Sequence, residues 1–261
     1  MSTRERARAV MLDLMSLFNK HETADNGTVV FLAYHFMFDD NLDNFRELLD
    51  WLAEEYNFLT VTDAVNQIKA GTLTGKNLCF TCDDGFQSCL MAGSILKEYG
   101  ASCCFFLCPD FIELKDRDQL KFYNQNRLGG PPIEFLNWND VESLQKNGHE
   151  IGNHTLNHEN LGKIEQARAE EQIEAALALL QEKTGTVLHF ACPYGQVDAY
   201  TSHIVDHCYS LGHETFFTTT RGIHDDESSV VNGLYKRHHF EPFWPVSHTK
   251  FFLTSKRYQG A

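Results

Sequence analysis

The chain has 261 residues, 43% of them hydrophobic and 22% charged, with a formal net charge of −14. It carries no 20-residue apolar stretch and no low-complexity run, a composition ordinary for a globular enzyme with a large buried core. The acidic balance opposes field-driven attraction to nucleic-acid backbones or anionic lipid, so neither a nucleic-acid partner nor stable membrane insertion is expected.

The N-terminus, "MSTRERARAVMLDLMSLFNK", superficially mimics an export signal. Asp13 interrupts the apolar part, however, and no small-residue cleavage site follows. Val10, Leu14, Leu17 and Phe18 recur at helical spacing, which predicts an amphipathic helix within a lead-in over residues 1–27. Without an export signal the expected location is cytoplasmic.

Short apolar runs then alternate with helix-period segments. The predicted strands are 28–34, 77–82, 101–107, 149–154, 187–193, 214–220 and 234–240; the predicted helices lie near 41–56, 60–70, 86–99, 138–147, 163–184 and 198–211. Asn41, Thr62 and Asn137 or Asn139 are candidate helix caps, and Gly100, Gly148 and Gly185 candidate stops. Continuous apolar strands alternating with helices imply a parallel sheet covered on its outer face. Seven such units suit a single α/β domain, a distorted or incomplete (β/α)7-type barrel over 28–240, with a doubly wound open sheet as the alternative. An aromatic-rich segment, 241–261, is expected to pack on the barrel. The eight cysteines fall inside apolar runs, as buried free thiols do in a reducing compartment.

In such barrels the active site is built from the C-terminal ends of several strands. The residues there are His35, Asp83 and Asp84, His154 with His158, Pro193 and Tyr194, and Arg237 with His239. Two adjacent aspartates reach one pocket only if the chain turns at once, which Gly85 permits. A divalent cation would relieve their repulsion, one carboxylate ligating it while the other stays ionised as a base. "HTLNH" (154–158) adds two imidazoles, and two histidines with one aspartate form the three-ligand set of a catalytic zinc site. His203 and His207 repeat that spacing on a helix, but no carboxylate accompanies them in the sequence, so a surface position is expected.

"TCDDG", "HTLNH" and "FACPYG", in that order, resemble the polysaccharide deacetylases of the NodB-homology type, a carbohydrate esterase family. The resemblance runs from about residue 28 to 240. It implies a metal-dependent hydrolase that removes an N-acetyl or similar small acyl group from an amino sugar, cutting an amide rather than a peptide bond. It further implies Asp84, His154 and His158 as metal ligands, Asp83 as general base and the backbone N–H of Tyr194 as oxyanion donor. The implied metal is divalent, zinc first, with cobalt, nickel or manganese also suited. The arginine that usually opens the third motif is replaced by Ala191. A subgroup resembling "FAYPYG" also lacks it and carries an arginine on the last strand, where Arg237 falls; Arg237 is therefore expected to orient Asp83. The usual histidine segment for the general acid is not recognisable, which leaves His35 and His239 as alternatives. The polar stretch 113–134 could form a substrate lid. The expected substrate is a nucleotide-linked, lipid-linked or oligomeric acylated amino sugar in surface-polysaccharide assembly. Two other readings stay open: a hydrolase of a non-sugar amide or formamide on this fold, and a catalytically silent sugar-binding protein.

Overall fold

The computed structural model describes residues 11–12, 26–128 and 133–255. Its strands are β1 (Thr28–Tyr34), β2 (Asn57–Phe58), β3 (Lys76–Cys82), β4 (Cys103–Leu107), β5 (Glu150–Asn153), β6 (His189–Ala191), β7 (Thr215–Phe217), β8 (Leu234–Tyr235) and β9 (His238–His239). The helices are α1 (Leu42–Glu55), α2 (Val61–Ala70), α3 (Cys89–Glu98), α4 (Arg117–Tyr123), α5 (Trp138–Lys146), α6 (Gln166–Thr184), α7 (Ser202–Ser210) and α8 (Val246–Thr254).

All ladder pairs among these strands are parallel, in the order β8-β7-β6-β5-β4-β3-β1-β9, with β2 beside β3. Each βα step returns the chain in the same direction, as parallel pairing requires. All seven residues of β1 are buried, because both faces of the strand are covered. The order places β8 at one edge and β9 at the other, yet only Lys236 and Arg237 separate them in sequence. One extended segment thus breaks at Arg237, its first half pairing with β7 and its second with β1. The sheet consequently curls on itself: Phe31 of β1 meets Phe217 of β7 with ring centroids 4.9 Å apart. The expected strand 234–240 is in fact two short pieces, and the barrel is a curled, incomplete (β/α)7 type.

Alternate residues sort the core into two layers. Phe31, Cys79, Phe106, Phe217 and Tyr235 cluster with Val61, Ala64, Val65 and Ile68 of α2. The opposite set, including Leu32, Tyr34, Phe80 and Phe105, packs against α1, α3 and α5. In α1 the buried residues Phe45, Leu48, Leu49 and Leu52 fall at helical spacing, each burial contributing about 1.5–3 kcal/mol.

Several local expectations need correction. Thr60, not Thr62, caps α2, its hydroxyl accepting from the Asp63 N–H; the Thr62 N–H instead donates to Glu150. Of the two candidates for α5, Asn137 is the cap, in a reciprocal box with Asp140. Asn41 makes no side-chain cap. Residues 113–134 contain α4 and a π-type turn at Asn124–Leu128. Leu12 packs on Phe251 and Phe252 of α8, whereas Val10, Leu14, Leu17 and Phe18 lie outside the described residues. Among the described residues no helix is long and apolar enough to cross a membrane.

Candidate active site

A cavity of about 480 Å³ opens at the C-terminal ends of the strands, within the range of small-ligand sites. It is lined by Asp83, Asp84, His35, His154, His158, Tyr194, Arg237, His239 and Glu241, among others. Of the residues expected at the site from the sequence, all but Pro193 line it.

β3 delivers the two aspartates. Asp83 continues the ladder, its N–H donating to the Tyr34 carbonyl at 3.0 Å. Asp84 then adopts φ 73° and Gly85 φ 77°, left-handed conformations that aspartate tolerates and glycine favours. That reversal brings both carboxylates into one buried pocket.

Asp83 is held by Arg237 in a fork: NH1 donates to Oδ1 and NH2 to Oδ2, each at 2.7 Å. Arg237 itself is fixed by Thr81 Oγ1 (3.1 Å) and the Thr218 carbonyl (3.2 Å), with the Phe106 and Phe217 rings centred 5.6 and 5.5 Å from its guanidinium carbon. Burial would raise the Asp83 pKa, but the Arg237 charge, with His154 and the fork itself, outweighs it and holds the carboxyl well below the usual range. The break in the last strand places this arginine between its two halves.

Asp84, His154 and His158 form the first of two His–His–carboxylate clusters. Asp84 Oδ1 lies 3.4 Å from His154 Nε2 and 3.3 Å from His158 Nε2. Neither contact is a hydrogen bond, and the oxygen is buried with no hydrogen-bond partner. His154 Nδ1 faces the Ala191 carbonyl at 2.7 Å, so that nitrogen carries the proton and Nε2 presents a lone pair to Asp84. Burial pushes His158 down to about 4, against the pull of Asp84, so this ring is neutral at pH 7. Three buried lone-pair donors facing one another are electrostatically unfavourable without a cation. Their spacing is what bonds of about 2.0–2.1 Å in tetrahedral geometry require. The residues therefore fit a divalent metal, with the Ala191 carbonyl orienting one ligand from behind.

Glu241, His35 and His239 form the second cluster. Here His35 Nδ1 donates to Glu241 Oε1 at 2.8 Å and His239 Nε2 donates to the same oxygen at 2.9 Å. Glu241 Oε2 accepts from the backbone N–H groups of His35 and Phe36, both at 3.4 Å. Burial alone would lower the His35 pKa, but the Glu241 bond and charge, with Asp84 and Asp83 beyond, raise it to about 10. Because Nδ1 is tied to Glu241, Nε2 is the His35 nitrogen left for the pocket. Glu241 was not among the expected residues. The alternation that puts Arg237 and His239 on one face, continued one step, would have found it.

Tyr194 sits at φ 63°, the residue 40% exposed and its ring 4.8 Å from that of His158. Leu128 brings the 113–134 stretch to the cavity, whereas Lys115, Arg117 and Lys121 stay exposed away from its lining. His203 and His207 are not without carboxylates, contrary to expectation. Glu170 and Glu174 of α6 meet them at 2.6 and 3.1 Å, so they pair α7 to its neighbour.

A curled parallel barrel thus brings a donor set that fits a cation, an arginine-held carboxylate and a carboxylate-held imidazole into one pocket, the equipment of a hydrolase. The polysaccharide deacetylase family description matches residues 70–216, and the chain belongs to that family, enzymes acting on amide carbon–nitrogen bonds of carbohydrates. Solved structures share the fold. The deacetylase PplD of Streptococcus pyogenes, in complex with acetate, is 17% identical and superposes with a TM-score of 0.71 over 88% of this chain and 99% of its own. IcaB from Ammonifex degensii is 20% identical, with a TM-score of 0.65 over 87% and 97%. A de-N-acetylase from Aggregatibacter actinomycetemcomitans is 18% identical, with a TM-score of 0.67 over 87% and 100%. At these identities the likeness fixes the fold. No curated protein matches the sequence.

Proposed function

We propose that the chain removes an N-acetyl or similar small acyl group from an amino sugar of a surface polysaccharide or its precursor. The observation that carries this reading is the unpartnered Asp84 oxygen facing two imidazole nitrogens beside an arginine-held Asp83. A divalent ion held by Asp84, His154 and His158 would supply Lewis acidity, polarising the acyl carbonyl and acidifying the attacking water. Asp83, kept ionised by Arg237, accepts the proton of that water at a carboxylate oxygen. The Tyr194 N–H donates to the oxyanion as the carbonyl carbon becomes tetrahedral. His35, with Nδ1 fixed by Glu241, delivers a proton from Nε2 to the leaving amine. His239 spends its Nε2 on the same carboxylate, and the geometry favours His35 over it as the acid. Ala191, together with Arg237 at the break between β8 and β9, supports placing the chain with the "FAYPYG"-like members. The eight free, buried thiols support a reducing, cytoplasmic setting. The domain limits 1–27, 28–240 and 241–261 belong to the same proposal.

The test is acetate release by the zinc- or cobalt-loaded protein across chitooligosaccharides, UDP-linked and lipid-linked N-acetyl sugars, with Asp83→Asn alongside. The expected result is release from at least one sugar, lost by about 10³-fold or more in Asp83→Asn with metal content retained. No release from any of them contradicts the proposal.

A further inference from the structure

We infer that Gln172 of α6 is a positioning residue for the metal site, setting His158 through the Asn157 backbone, given the reading of Asp84, His154 and His158 as ligands above. The segment between the two histidines is bent in an uncommon way. Thr155 stands at φ 66° and His158 at φ 60°. Residues other than glycine seldom occupy this left-handed region, and a β-branched threonine enters it at a steric cost. Such a conformation persists only where its surroundings hold it.

Two elements do so. On one side, the turn after β4 supplies Asp110. Its N–H donates to the Leu156 carbonyl and its Oδ2 accepts from Asn157 Nδ2, both at 3.1 Å. On the other side, the Gln172 main-chain carbonyl accepts from the Leu156 N–H at 2.9 Å, and Gln172 Oε1 accepts from the Asn157 N–H at 3.1 Å. Gln172 is fully buried, on the α6 face it shares with Ala169, Ile173 and Ala176. Packing alone favours an apolar side chain at that position. An amide there carries a desolvation cost, and its Nε2 has no hydrogen-bond partner among the described residues. Its polar contribution is thus the one acceptor aimed at Asn157. Without that acceptor the Asn157 N–H is buried and unpaired, and the segment turns toward another partner, carrying His158 with it. Metal–ligand distances are held to within about 0.2 Å, so a small displacement is enough to weaken the site.

The experiment measures the zinc affinity of the full chain by competition with a chromophoric chelator, in wild type, Gln172→Met, Gln172→Glu and Leu180→Ala. Asp84→Ala serves as the blank for zinc bound elsewhere. Methionine keeps the volume and removes the acceptor, as Gln172→Leu does should the methionine variant not fold. Glutamate restores an oxygen at the same reach. Leu180, also buried on α6, reports what lost packing alone does. Zinc binding is expected to weaken about tenfold or more in Gln172→Met, to recover most of that in Gln172→Glu, and to be unchanged in Leu180→Ala. Equal affinity in wild type and Gln172→Met, or an equal loss in Leu180→Ala, would overturn the inference and leave the metal site standing. A wild type that binds zinc no better than Asp84→Ala overturns both. Affinity is read without any sugar, so a failure of the proposed acyl removal shows separately.

Discussion

The cavity holds two clusters of the same composition, two histidines and a carboxylate, wired in opposite ways. Around Asp84 the donor atoms stand 3.3–3.4 Å apart with no hydrogen bond between them. Around Glu241 they stand 2.8–2.9 Å apart and share protons. The electrostatics follow the wiring. His158 is driven down to about 4 by burial, while Glu241, against burial, raises His35 to about 10. Residue types alone do not make a metal site, since the position of the proton decides. A ring whose Nδ1 proton goes to a carbonyl offers its lone pair to a cation, whereas a ring whose proton goes to a carboxylate is a store of acid.

The largest effect expected from breaking this contrast is at Asp84. Asp84→Ala should strip the bound metal and lower deacetylation by at least about 10³-fold, measured by elemental analysis and acetate release on the same sample. Glu241→Gln should do neither to that extent. Its metal content should stay that of wild type, while kcat falls by about 10- to 100-fold as the proton on His35 loses its support. Equal metal loss in the two variants would erase the distinction.

Arg237 tests how far Asp83 depends on its partner. Arg237→Ala leaves a buried carboxylate uncompensated, and a loss of about 3–5 kcal/mol in urea unfolding is expected. An unchanged midpoint would mean that water or another cation takes over the task.

The fold was legible wherever periodicity was long. The seven-residue run of β1 and the spacing of Phe45, Leu48, Leu49 and Leu52 needed no tertiary information. Strand ends were overestimated, as at 187–193 against His189–Ala191, because the chain leaves the ladder there to build the pocket. The two-residue β2 and the aromatic α8 carry no period of their own. At the site, the motif residues and Arg237 were placed from the predicted strand ends, and the pairing of Arg237 with Asp83 came from the resemblance of the motifs. Glu241 was not read, since it lies beyond the strand in a stretch judged only by its aromatics. The carboxylates facing His203 and His207 were invisible because they come from another helix, and no local pattern reports that.

A smaller, graded effect should appear in acid. His189, His213 and His224 lie away from both clusters, and burial pushes each down to about 4. Their ordinary value in the unfolded chain is about 6.5, so the unfolded state binds protons first as pH falls. Stability is full above about pH 6.5 and is lost between there and about pH 4, by roughly 3 kcal/mol per histidine at most. Urea midpoints that stay flat from pH 7 to pH 4.5 would contradict this, and His224→Gln should flatten the curve by about one histidine's share.

The contrast between the clusters is tested most directly by anomalous diffraction at the zinc edge on crystals of the zinc-loaded protein. One peak per chain, between Asp84, His154 and His158, with none between Glu241, His35 and His239, is the expected map. A peak at Glu241, or no peak at Asp84, would contradict the account.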